Sequence, residues 1–143
     1  MNNVTKIKIL KTADEVFEAF VDPEKIGNFW FSSSSERWER GKTITLRYDE
    51  YDAQGDIKII EIERNQKIVF EWVYDNGEGH IVTIRLRQPD NAGTIVEVTE
   101  EGFNEHDISG LLDNKEGWVY MLTCLKGYLE FGVNRLRAAL VHE

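Results

Sequence analysis

The stretch Asp113-Asn-Lys-Glu-Gly-Trp118-Val-Tyr-Met-Leu-Thr-Cys-Leu-Lys-Gly-Tyr-Leu-Glu-Phe-Gly-Val-Asn-Arg-Leu-Arg-Ala-Ala-Leu140 decides how the chain reads. Its apolar side chains at Trp118, Met121, Leu122, Leu125, Tyr128, Leu129, Val133, Leu136 and Leu140 fall on one stripe of an α-helix. Asp113, followed three places later by Glu116, has the form of a capping box. A helix of this length would run for roughly 40 Å at about 1.5 Å per residue, enough to cross a small domain. Two glycines interrupt it. Gly127 and Gly132 each cost about 1 kcal/mol relative to Ala inside a helix, so they mark close packing, a bend or a break.

Such a helix needs a surface to lie on, and the chain before it supplies strands. Val4 to Leu10 alternates Ile7 and Ile9 with lysines and reads as the first strand. Thr12 with Glu15 caps a short amphipathic helix carrying Val16, Phe17, Ala19 and Phe20. Asp22-Pro23 closes that helix and opens a second short one bearing Ile26, Phe29 and Trp30, since proline is tolerated at a first helical position. Ser32 to Ser35, small, polar and without period, reads as a mobile surface loop and, through its place after Phe31, as a candidate lid.

From Gly41 onward the period is two. Ile44, Leu46 and Tyr48 form one strand, and Ala53 to Gly55 breaks the pattern. Ile57, Ile59, Ile60 and Ile62 form the next, with a phase slip at Ile59-Ile60 that suits a β-bulge. Ile68, Phe70, Trp72 and Tyr74 share one face of the most aromatic strand, and Asp75-Asn76-Gly77 is a hairpin turn. His80, Val82, Ile84 and Leu86 return, Pro89 to Gly93 turns again, and Thr94, Val96 and Val98 close the run. Short turns make this an antiparallel meander, with the first strand joining out of order. A long amphipathic helix on one face of a curved sheet is an α+β domain.

The 143 residues suit a single domain spanning 1–143, and 41% hydrophobic with 30% charged residues is a globular composition. A net charge of −9 with no Lys/Arg cluster excludes nucleic acid and anionic membranes as expected partners. Cys124 is the only cysteine, which rules out an intramolecular disulfide and fits a reducing, cytoplasmic setting. No stretch has the length of a membrane span. His80, His106 and His142 share no metal-ligand spacing, and Cys124 has no neighbouring Cys or His, so neither a metal nor a cofactor is expected. The serines lack the context of a nucleophile elbow, and no Gly-rich phosphate loop occurs. No catalytic residue is assigned, and the acids from Glu97 to Glu105 read as a solvated face.

Three local patterns carry a resemblance: Ala13-Asp-Glu-Val-Phe-Glu-Ala-Phe20 leading into Asp22-Pro-Glu-Lys-Ile26; Ile68-Val-Phe-Glu-Trp72; and Gly117-Trp118 with Leu122, Leu125 and Leu129 behind it. In their order the chain resembles the START-like helix-grip (SRPBCC) superfamily, and within it the branch similar to the activator of Hsp90 ATPase homologue 1 C-terminal domain. The resemblance implies a curved antiparallel sheet wrapped around the C-terminal helix, with two short helices after the first strand. It also implies a cavity between sheet and helix that in relatives takes up hydrophobic molecules. It carries over no reaction.

With the helix over the sheet, the side chains expected to line that cavity are Phe70, Trp72, Tyr74, His80, Val82 and Ile84 from the strands and Trp118, Met121, Leu122 and Leu125 from the helix. Apolar walls with a few polar handles suit a small hydrophobic or aromatic ligand. Burying a few hundred Å² of it at about 25 cal/mol per Å² gives ample gross driving force. The alternatives are a protein-interaction module with a protein partner, as the chaperone-activator resemblance implies, and an enzyme of the cyclase kind.

Overall fold

The structure, a computed structural model, describes residues 1–141, so His142 lies outside the described residues. Seven strands form one antiparallel sheet: β1 (Asn2–Ile9), β2 (Ser33–Ser34), β3 (Thr43–Tyr48), β4 (Ala53–Glu63), β5 (Lys67–Val73), β6 (Gly79–Asp90) and β7 (Gly93–Glu101). Their order across the sheet is β1-β7-β6-β5-β4-β3-β2. The meander is therefore as the alternation predicts, and β1 does join out of order, on the free edge of β7.

The inner face follows the period-two pattern. Ile44, Leu46, Ile57, Ile59, Ile68, Phe70, Val82, Ile84, Val96 and Val98 are all buried. The phase slip on β4 is a real bulge: Ile59 sits opposite Phe70, but Glu61 already sits opposite Val69. Ile60, the extra residue, is turned outward and exposed. Without it, Ile62 would face solvent while Ile57 and Ile59 faced the core.

Two short helices follow β1. The first, α1 (Ala13–Val21), begins where Thr12 accepts a hydrogen bond from the Glu15 N–H and buries Val16, Phe17, Ala19, Phe20 and Val21. The second is only one tight turn, Ile26–Asn28, after which the backbone leaves the helical region at Phe29. That exit sends Phe29, Trp30 and Phe31 into the space between sheet and long helix.

Three expectations are corrected. Ser32 to Ser35 is not a mobile loop: Ser33 and Ser34 pair with Arg47 and Leu46, and the N–H groups of Ser32 and Ser35 donate to Arg47 and Thr45 carbonyls. The segment satisfies its backbone as an edge strand. Ala53 to Gly55 does not break the sheet either, because it pairs with Leu46 to Tyr48 of β3.

The long helix α2 spans Ile108–Phe131, 24 residues, and neither of its ends lies where the apolar stripe puts it. Its N-cap is Asp107, whose carboxylate accepts from the Gly110 N–H at 3.0 Å, so Asp113 and Glu116 lie inside the helix. Gly132 ends it at φ +69°, a left-handed conformation that glycine adopts without a Cβ penalty. Its N–H donates to the Tyr128 carbonyl and that of Val133 to the Gly127 carbonyl. The chain then doubles back. A Cβ on Gly127 would lie 3.9 Å from both Val133 and Leu136, so this glycine faces the returning tail.

Candidate functional site

Between the inner face of the sheet and α2 lies a cavity of about 360 Å³. Phe29, Trp30 and Phe31 enter it from the segment after α1, Tyr48 and Tyr51 from the end of β3 and the turn beyond, Trp72 from β5 and Tyr74 from just past its end. The α2 wall is Asp113, Asn114, Gly117, Trp118, Tyr120 and Met121, spaced as one helical face. Arg137 and Leu140 from the tail complete the lining.

The rings pack against one another rather than filling the gap. Trp30 is the hub, with centroids 5.6 Å from Trp118, 4.9 Å from Phe31 and 6.1 Å from Phe20. Phe31 continues the wall to Trp72 at 5.6 Å and Tyr48 at 4.9 Å, and Trp72 stacks on Tyr74 at 6.0 Å.

One end of the cavity is built on a buried carboxylate. Glu100, fully buried on β7, accepts from Trp118 Nε1 at 2.8 Å, Tyr74 Oη at 2.7 Å, Asn114 Nδ2 at 3.1 Å and His80 Nδ1 at 2.8 Å. Asn114 Nδ2 also donates to the Tyr74 oxygen at 2.8 Å. Every contact to this carboxylate comes from a donor, which is how a protein keeps an acceptor-only group in its interior. Burial, and then the Glu100 charge, push the Tyr74 phenol well above the ordinary tyrosine range, so it stays a neutral hydroxyl. His80 stands behind this network between the Tyr74 and Phe103 rings, at 4.7 and 4.6 Å, and its Nε2, 3.7 Å from Glu78 Oε2, has no hydrogen-bond partner among the described residues.

The opposite end is held by the tail. Arg137 donates from Nε to the Trp30 carbonyl at 2.6 Å, from both terminal nitrogens to Glu50 at 2.5 and 3.0 Å, and from Nη2 to Ser32 Oγ at 2.9 Å. Its guanidinium lies 5.2 Å from the centre of the Tyr48 ring. The Tyr120 and Tyr51 hydroxyls donate to the Leu136 and Leu140 carbonyls, fastening the tail on either side. The hydrogen bonds from Arg137 hold the Glu50 carboxyl down at about 2. Burial pushes the Tyr48 phenol up to about 12.

Of the side chains the sequence offers for a cavity lining, Trp72, Tyr74, Trp118 and Met121 meet around it. Phe70, Val82, Ile84, Leu122 and Leu125 are not part of its lining: they are buried in the core, where the Phe70 ring lies 6.5 Å from that of Trp30. His80 sits behind Tyr74, not on the wall, and is neither at the surface nor solvated. Glu100 is a correction of the opposite kind, since it belongs to no solvated face. Its signal was present: Thr94, Val96, Val98 and Glu100 keep one parity, and the sheet obeys it. Asn114 and Gly117 share the helical face of Trp118 and Met121 and were legible in the same way. Arg137 was not, because its position depends on the turn at Gly132.

Cys124 is buried, and burial raises its thiol's pKa, which suits a small core filler. Among the described residues no group of His, Cys, Asp or Glu is arranged to hold a metal ion, and no helix is long and apolar enough to cross a membrane.

The family model of Activator of Hsp90 ATPase homolog 1-like proteins matches residues 11–130. Among solved structures, protein SSP2350 from Staphylococcus saprophyticus is 56% identical, with a TM-score of 0.85 over 94% of this chain and 95% of its own. The Aha1 dimer from Colwellia psychrerythraea is similar at 20% identity and a TM-score of 0.82, over 92% of this chain and 98% of that one. CalU16 from Micromonospora echinospora is similar at 20% identity and a TM-score of 0.77, over 95% of this chain and 80% of that one. No curated protein sequence matches the chain.

Proposed function

The chain belongs to the Activator of Hsp90 ATPase homolog 1-like family, and from that premise we propose that it binds a small aromatic molecule in the cavity between sheet and α2. The observation that carries this reading is the cavity itself. About 360 Å³ stays open where a folded core would ordinarily be filled, and its walls are largely ring faces. Flat rings offer a planar ligand dispersion contacts on several sides and little conformational freedom to lose. Trp72, Tyr74 and Trp118 would orient it from the Glu100 end, and Trp30 and Phe31 would form its bed.

Gly117 supplies the test. It lies on the cavity wall, and a Cβ there would meet nothing within 4 Å. Gly117→Phe therefore puts a ring into the cavity without straining the helix. A naphthalene-type probe should raise the melting temperature of the native chain and quench its tryptophan fluorescence. Both effects should vanish in Gly117→Phe while its circular dichroism stays native. Undiminished probe binding in that variant, or no binding of any aromatic probe by the native chain, overturns the reading.

A further inference from the structure

Resting on the reading that the cavity takes an aromatic molecule, the hydrogen-bond inventory at its Glu100 end specifies what that molecule must carry. The carboxylate draws in the protons around it: the Trp118 indole N–H, the Tyr74 hydroxyl proton, the His80 Nδ1 contact and the Asn114 amide group all point at Glu100. The Asn114 amide also reaches the Tyr74 oxygen, which fixes the orientation of the amide, since only its nitrogen can serve a carboxylate and a hydroxyl lone pair together.

What remains for a ligand are lone pairs. The Tyr74 oxygen is already spent, since it gives its proton to Glu100 and takes one from Asn114 into its in-plane lone pair. The Asn114 carbonyl oxygen has no hydrogen-bond partner among the described residues and is not fully buried. Asp113, on the same wall, adds a carboxylate. A ligand carbonyl or ether turned toward this end would meet acceptors with no proton between them, and would lose its water for nothing.

We infer that the ligand is an aromatic ring bearing a hydrogen-bond donor, a phenol-type hydroxyl, whose proton it gives to the Asn114 amide oxygen. The buried glutamate thus acts at one remove: it touches no ligand, and it sets the polarity of the groups that do. Asn114 is the specificity-determining residue, and Tyr74 and Glu100 position its amide.

The experiment compares 2-naphthol with 2-methoxynaphthalene at neutral pH on the full chain, by calorimetry or tryptophan quenching. The two share a ring system and differ by a methyl in place of the proton. The naphthol should bind about tenfold more tightly, the factor that corresponds to one hydrogen bond of ordinary net strength. In Asn114→Leu the ratio should fall toward unity while the methyl ether's affinity is kept. Equal affinities in the native chain, or tighter binding of the ether, overturn the donor inference and leave the aromatic reading intact. Binding of neither compound overturns the reading beneath it. Because the decisive comparison is made on the native protein, it stands even if Asn114→Leu is too unstable to measure.

Discussion

The Trp118 indole N–H donates to Glu100 Oε1 over 2.8 Å, and with the Asn114 amide it ties the long helix to the inner face of the last strand. Both partners are buried, and each satisfies a need of the other: the indole has one proton to place, and the carboxylate has only acceptor positions to fill. The cavity end and the helix-to-sheet contact are therefore the same piece of structure.

Replacing Glu100 by Leu removes the acceptor that several buried donors share. The expected loss is about 3–5 kcal/mol in urea unfolding, in the range for breaking a buried charged network. Trp118→Phe alone should cost less, and the double variant should lose less than the sum, since the second change removes a donor already stranded by the first. Additive losses would show that the two residues act independently.

The two glycines of the helix's last turns should respond with opposite signs. Gly132→Ala forces a Cβ into a left-handed conformation at φ +69° and should destabilise by about 1–2 kcal/mol. Gly127→Ala places its Cβ at ordinary contact distance from Val133 and Leu136, and should be neutral or gain up to about 1 kcal/mol from helix propensity. Thermal unfolding of the pair checks both.

Arg137 and Glu50 make a pH prediction. The Arg137 hydrogen bonds depress the Glu50 carboxyl to about 2, below its ordinary 4.5. A depressed acid stabilises the state in which it is ionised, so the latch is intact above the ordinary value and is lost as pH falls toward 2. In the native chain the Glu50 carboxyl should titrate near 2 by carbon-detected NMR, and in Arg137→Ala it should return toward 4.5. An unchanged midpoint in the variant would break the link.

Tyr48 bears on the alkaline side. Burial raises its phenol to about 12 from an ordinary 10, so folding favours the neutral form. The associated stability is whole below the ordinary value and drains away as pH rises through about 12. Tyrosinate absorbance should show a late-titrating group that Tyr48→Phe removes.

The sheet was legible because its inner positions obey one period over five successive strands and a bulge merely shifts the phase once. The long helix was legible as an element and misread at its ends. Val133, Leu136 and Leu140 continue the helical spacing by coincidence of composition, while a single positive φ at Gly132 decides that they belong to a returning segment. Nothing in local periodicity encodes that angle. The candidate site divides along the same line. Trp72, Tyr74, Trp118 and Met121 followed from face and spacing alone. Trp30 and Arg137 could not be placed, because they reach the cavity through turns whose direction is fixed by tertiary contacts. Glu100 was in the right alternation but was set aside on its charge, and only the donors arriving from other elements make a buried carboxylate tolerable there.

Asn3 of β1 lies directly opposite Glu100 of β7, and its side-chain amide donates to the Leu111 carbonyl at the start of α2. The first strand therefore completes the wall around the carboxylate. The donors to that charge arrive from just past the end of β5, from β6 and from α2, so enclosing it joins segments far apart in the sequence. Shutting the anion in is thus a long-range closure, and it carries the loop-closure entropy of contacts at large sequence separation.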